Sequence, residues 1–145
     1  MIMKDNISEL LNKKEPEGIN EYGKPYRVLI VDDSTTMRKI VGQQLKSELY
    51  EVCGEASNGV EALQKYRDLN PDIVTLDINM PIANGIEALK AILNYNQHAK
   101  VVMLTSEGEK NTVLEALRLG AKGYIVKPPK KSILCERVKI ALESN

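Results

Sequence analysis

A chain of 145 residues, 43% hydrophobic and 28% charged, suits one globular domain of ordinary size and leaves no length for a second conventional one. Twenty Lys and Arg balance twenty Asp and Glu, so there is no overall basic field to hold a nucleic-acid backbone. The two cysteines, Cys53 and Cys135, stand far apart without a CxxC pair, which argues against a zinc site or disulfide framework and for small buried hydrophobes in a reducing compartment.

In chain order, residues 1–24 are dominated by Glu, Lys, Asn, Pro and Gly, and Ile7, Leu10 and Leu11 mark at most a short amphipathic helix. The expectation is an N-terminal tail over 1–24, partly disordered or a short helix, ahead of a domain over 25–145. Its start holds no apolar stretch of signal-peptide length, and no segment reaches the roughly 18 apolar residues of a membrane span. A cytoplasmic protein without membrane insertion follows.

From Tyr26 onward, short apolar runs alternate with helix-length amphipathic stretches. The runs are 27–31, 51–56, 73–77, 100–104 and 123–126, and between them apolar residues recur at three- and four-residue steps, as in Met37, Ile40, Val41 and Leu45. Continuous apolar strands alternating with helices predict a parallel sheet covered on both faces, an open α/β sandwich of five units. Punctuation sets boundaries: Asn70-Pro71-Asp72 ends the second helix, Gly85 lies near the start of the third, and Gly120 stands where a C-cap ends the fourth. The second strand is diluted by Gly54 and charges, which predicts an edge position.

Ligands of a parallel open sheet sit at the carboxyl ends of its strands. There this sequence places Asp32-Asp33 after the first strand, Asp77 at the end of the third, Thr105 after the fourth and Lys127 after the fifth. Taken singly, each has a plain explanation: Asp32-Asp33-Ser34 as a helix N-cap cluster, Thr105 as a cap, Lys127 as a surface charge. A carboxylate closing the apolar run Ile73-Val74-Thr75-Leu76 is less easily explained so. Together the groups bring three carboxylates, a hydroxyl and an amine to one edge. Carboxylates in such proximity raise a pKa or require a cation, and Mg²⁺ suits a few oxygen ligands supplemented by water. Asp33 is the more direct metal ligand, Asp32 binds directly or through water, and Asp77 is both ligand and nucleophile. Phosphoryl transfer to Asp77 needs positive charge and donors around the phosphoryl oxygens, roles suited to Lys127 and Thr105. Met80-Pro81 forces the chain before Pro81 into an extended or turn conformation, consistent with a loop after the acceptor, and Lys127-Pro128 suits a cis bond that aims the lysine inward.

Val28-Leu29-Ile30-Val31-Asp32-Asp33-Ser34, Leu76-Asp77-Ile78-Asn79-Met80-Pro81 with Gly85, Thr105-Ser106 and Lys127-Pro128 occur in that order. In this the chain resembles the receiver domain of bacterial two-component response regulators, most closely the stand-alone chemotaxis type, over residues 26–143. The resemblance implies a flavodoxin-like, doubly wound five-stranded parallel sheet of order 2-1-3-4-5 with five helices. It implies that Asp77 is the phosphoacceptor and that the Asn79 backbone carbonyl joins Asp32, Asp33 and Asp77 around Mg²⁺. Thr105 and Tyr124 fall on the switch positions, and Asn79 and Glu107 on positions that adjust acylphosphate lifetime. Pro129 stands where an aromatic residue is frequent.

The function so implied is a chemotaxis response regulator: phosphorylation of Asp77 by a histidine kinase switches binding to a flagellar-motor switch protein, and a phosphatase is a further partner. It would catalyse its own phosphorylation and dephosphorylation without being an enzyme toward external substrates. The alternative is a phosphorelay carrier that passes phosphate to a histidine phosphotransfer protein. A phosphohydrolase is disfavoured because Asp32 and Asp33 are adjacent rather than one residue apart. A nucleotide-binding domain is disfavoured because neither G-x-G-x-x-G nor G-x-x-x-x-G-K-[ST] occurs.

Overall fold

The computed structural model describes residues 16–144. Ile7, Leu10, Leu11 and the rest of the expected tail before Pro16 lie outside the described residues. Residues 16–24 run against the domain: the Gly18 amide donates to the Glu48 carbonyl at 2.7 Å and the Tyr26 amide to the Gly18 carbonyl at 2.7 Å. Among the described residues, no helix is long and apolar enough to cross a membrane.

Five strands alternate with five helices: β1 (Arg27–Val31), α1 (Thr35–Lys46), β2 (Glu51–Ala56), α2 (Gly59–Leu69), β3 (Ile73–Asp77), α3 (Gly85–Tyr95), β4 (Val101–Thr105), α4 (Lys110–Leu119), β5 (Gly123–Val126) and α5 (Lys131–Glu143). The strands form one sheet in the order β2-β1-β3-β4-β5, with every pairing parallel. The expected flavodoxin-like order is therefore observed, with β2 at an edge.

Side-chain alternation along the strands divides the core. Leu29, Val31, Val74, Leu76, Val101 and Met103 point to one face and pack with Ala62, Tyr66, Leu89, Ile92 and Ala116 of α2, α3 and α4. Val28, Ile30, Ile73, Val102, Leu104 and Ile125 point to the other and pack with Val41, Leu45, Leu134 and Val138 of α1 and α5. Each large side chain so buried contributes roughly 1.5–3 kcal/mol of transfer free energy, which fixes strand register against slippage.

Local chemistry places the helix ends. Ser34 Oγ accepts from the Met37 amide at 3.1 Å to start α1, and a reciprocal capping box between Asn84 and Glu87 starts α3. Asn70, with φ of 46°, ends α2, and Gly120, with φ of 125°, ends α4. Pro129 is buried, and its carbonyl accepts from Gln44 Nε2 at 2.9 Å, tying the entry to α5 onto α1.

The cysteines part from their expected burial in one case. Cys135 is buried, but Cys53 is only half-buried. It sits where the β1–β2 register shifts, between the pairs Val28↔Val52 and Leu29↔Gly54, and its thiol donates to the Val28 carbonyl at 3.4 Å. An extra residue in an edge strand has no facing partner to cover it.

A carboxylate and lysine site at the carboxyl edge of the sheet

The strand ends converge as the topology requires. Asp32 follows β1 and is 2% exposed; Asp77 closes β3 and is 4% exposed. Asp33, one residue further into the turn, is exposed. One carboxylate oxygen from each of the three lies within 4.8 Å of the others. The loop after β5 delivers Lys127, whose Nζ lies 2.9 Å from Asp32 Oδ2 and 3.0 Å from Asp77 Oδ1. The Lys127–Pro128 bond is cis, as the sequence suggested.

Backbone donors complete these carboxylates. The Ser34 amide donates to Asp32 Oδ1 at 2.9 Å and the Asn79 amide to Asp77 Oδ1 at 3.2 Å. The Lys127 amide donates to the Thr105 carbonyl at 2.7 Å, which aligns the lysine loop with the end of β4. Gly85 lets α3 approach from beneath: a Cβ there would lie 2.3 Å from the Asp77 carbonyl oxygen and 2.6 Å from Ile78 Cα. The turn between them, after Pro81, passes through left-handed Ile82 and Ala83 at φ of 49° and 66°. The Gly59 amide holds that turn by donating to the Ala83 carbonyl at 3.1 Å.

Burial pushes the Asp77 carboxyl up from its ordinary 3.8 to about 6; the Asp32 charge pushes in the same direction, while the Lys127 hydrogen bond and charge oppose it. Burial pulls the Lys127 ammonium down, but its hydrogen bonds to Asp32 and Asp77 outweigh this and hold it above its ordinary value. One lysine thus leaves the acidic cluster under-compensated. Three hard oxygen donors, two of them buried and one with a raised pKa, fit a hard divalent cation such as Mg²⁺.

Thr105 is 2% exposed, and its hydroxyl donates to the Ser106 carbonyl at 3.1 Å and to Glu109 Oε2 at 3.2 Å. Tyr124, at 43% exposure, lies on the outside of β5. With Val113, Leu114, Leu117 and Val126 it lines an apolar groove of about 610 Å³ that reaches Thr105 and Glu109.

Asp32, Asp33, Asp77 and Lys127 are thus brought together, Thr105 joins them through the backbone of the lysine loop, and Tyr124 lies apart on the outer face. Sequence reasoning missed Glu109 and singled out Glu107, which is exposed. The Glu109 carboxylate accepts from both Thr105 Oγ1 and Asn79 Nδ2, so it joins the loop after β3 to the end of β4. Its spacing from Thr105 carried no signal, because the intervening turn at Gly108, with φ of 89°, decides where the side chain falls.

The response regulator receiver domain family matches residues 28–139 of the chain. The chemotaxis protein CheY of Treponema pallidum is 44% identical over 145 residues, spanning 99% of this chain and 100% of that protein. The chemotaxis protein CheY of Thermotoga maritima is 47% identical over 110 residues, spanning 76% of this chain and 92% of that protein. Among solved structures, a chain of the CheX-CheY-BeF3-Mg²⁺ complex from Borrelia burgdorferi superposes with a TM-score of 0.83 at 41% identity, covering 86% of this chain and 96% of that one.

Proposed function

The chain belongs to the response regulator receiver domain family, and from that premise we propose that it is a single-domain chemotaxis response regulator in which Asp77 is the phosphoacceptor. The observation that carries this reading is the lysine ammonium held against two buried carboxylates, 3.0 Å from Asp77 Oδ1 and 2.9 Å from Asp32 Oδ2, beside a third carboxylate.

An oxygen of the ionised Asp77 carboxylate attacks the phosphorus of a phosphohistidine or a small acyl phosphate. A P–O bond to Asp77 forms, and the bond to the donor breaks with its electron pair leaving on the donor. Lys127 and the Thr105 hydroxyl are assigned to the phosphoryl oxygens, where negative charge accumulates. Asp32, Asp33, Asp77 and the Asn79 backbone carbonyl are assigned to Mg²⁺, which when bound supplies positive charge that offsets the acidic cluster and the phosphoryl oxygens. Water attacking phosphorus later releases inorganic phosphate and restores the carboxylate.

The histidine kinase, a flagellar-motor switch protein and a phosphatase are the partners this reading assigns, acting in the cytoplasm on a receiver unit over 25–145. It is supported by the chemotaxis proteins among the relatives and by the Borrelia complex, in which CheY is bound with CheX, BeF3 and Mg²⁺. The groove beside Tyr124 suits a motor-side partner, because a change at Thr105 is transmitted directly to its wall.

Incubation with Mg²⁺ and a small acyl phosphate, read by intact mass, is expected to add one phosphoryl group to the wild type and none to Asp77→Asn. Unlabelled wild type, or equal labelling of the variant, overturns the assignment. Phosphate-enhanced capture of a motor-switch protein supports the motor target. Reversible transfer to a histidine phosphotransfer protein supports the phosphorelay alternative instead.

A further inference from the structure

We propose that Glu109 is a positioning residue for the phosphoacceptor reaction: its carboxylate restrains the Thr105 hydroxyl and the Asn79 side chain in an arrangement that must open before the hydroxyl can serve a phosphoryl group. This rests on the reading of Asp77 as phosphoacceptor and adds a residue to which that reading gives no role.

Glu109 occupies the N-cap position of α4, where a side-chain oxygen ordinarily accepts from a free helix amide, yet it makes no cap hydrogen bond. Its two oxygens are engaged elsewhere. Oε2 accepts from Thr105 Oγ1 at 3.2 Å, and Oε1 accepts from Asn79 Nδ2. Bonds to an ionised acceptor are stronger than neutral ones, so the Glu109 carboxylate ties the Asn79 loop to the end of β4 more firmly than a neutral side chain would.

The consequence follows from proton arithmetic. A threonine hydroxyl has one proton, and here it is shared between the Ser106 carbonyl at 3.1 Å and Glu109 Oε2. Donation to a phosphoryl oxygen requires leaving both acceptors. Charge acts in the same sense. The Asn79 amide already donates to Asp77 Oδ1, so the Asn79 end of the bridge adjoins the acceptor. A phosphoryl group there brings close to two negative charges and repels the Glu109 carboxylate. Glu109 therefore favours the unphosphorylated arrangement, and by linkage phosphorylation favours release of Glu109. Because Glu109 and Thr105 both line the groove beside Tyr124, that release alters a surface as well as a rate.

The test uses the full chain as wild type, Glu109→Ala and Glu109→Gln, each also in a Thr105→Ala background. Phosphorylation rates with a small acyl phosphate at saturating Mg²⁺ are read by intact mass. Affinities for fluoroberyllate and for Mg²⁺ alone are read by calorimetry. Glu109→Ala is expected to raise both the rate and the fluoroberyllate affinity about tenfold, the lower end of the worth of one hydrogen bond to a charged acceptor. Glu109→Gln, which keeps an acceptor but loses the charge, falls between. Mg²⁺ affinity does not rise, because losing a carboxylate charge can only weaken a cation site, so the gain in fluoroberyllate affinity is not borrowed from the metal. In the Thr105→Ala background the gain shrinks by about half or more. A Glu109→Ala protein no faster than wild type, or an equal gain in both backgrounds, overturns the proposal and leaves the phosphoacceptor reading intact. Wild type that takes no phosphoryl group overturns both.

Discussion

Asp77→Asn is expected to make the metal-free protein more stable at neutral pH, although it removes the reacting group. Asp77 is 4% exposed, and its carboxyl is raised from 3.8 to about 6, chiefly by burial. A carboxyl raised on folding means that the native state holds the proton more tightly than the unfolded chain does. The penalty for ionised Asp77 is therefore absent below 3.8, grows through the interval and is complete above about 6. At about 1.4 kcal/mol per pH unit, it amounts to about 3 kcal/mol. An asparagine can still accept from the Asn79 amide, and the attraction to Lys127 that it gives up is already contained in the raised value of about 6. The net expectation is about 3 kcal/mol, or a melting midpoint higher by about 6–12 °C. The chain has no Trp, so urea unfolding is followed by far-ultraviolet circular dichroism, at pH 7.5 and pH 4, in EDTA and in Mg²⁺. At pH 4 the advantage should disappear, because the wild-type carboxyl is then protonated. In Mg²⁺ it should narrow, because the cation binds the wild-type cluster more tightly and stabilises it by mass action. A variant less stable than wild type at pH 7.5 in EDTA, or an advantage independent of pH, would refute the reasoning.

Three further outcomes follow from the same geometry. Lys127→Ala leaves Asp32 and Asp77 facing one another without their cation; at pH 7.5 in EDTA it should cost about 3 kcal/mol in urea unfolding and slow phosphorylation about 100-fold. The stability loss should ease as pH falls and Asp77 protonates, whereas the rate loss should not. Gly85→Ala places a methyl group 2.3 Å from the Asp77 carbonyl oxygen, which should cost about 2–3 kcal/mol and reduce phosphorylation by displacing β3, read by urea midpoint and intact mass. With limiting Mg²⁺, the labelling rate should rise with pH through about 6 as Asp77 ionises, and saturating Mg²⁺ should move that midpoint lower. A flat profile between pH 5 and 7 would contradict the raised carboxyl.

Much of the fold was legible in the sequence because its determinants are local. An apolar run such as Ile73-Val74-Thr75-Leu76 has only one regular way to bury every side chain in a parallel sheet, and the observed β3 is buried throughout. Ser34, Asn70 and Gly120 marked helix ends because capping chemistry acts within a few residues. The strand-end carboxylates, Thr105 and Lys127 were legible as well, because every parallel strand points its carboxyl end to the same edge.

What the sequence by itself determined was therefore the set of elements and the edge to which the reactive groups are delivered. Tertiary structure alone decided the contacts between them. That Lys127 pairs with Asp32 as well as Asp77, that Cys53 falls in a register shift, and that Glu109 rather than Glu107 meets Thr105 and Asn79 all depend on where separate loops come to rest. Periodicity and capping act over a few residues of chain. Hydrogen bonds and charges act over a few ångströms of space, and only the packed sheet converts one distance into the other.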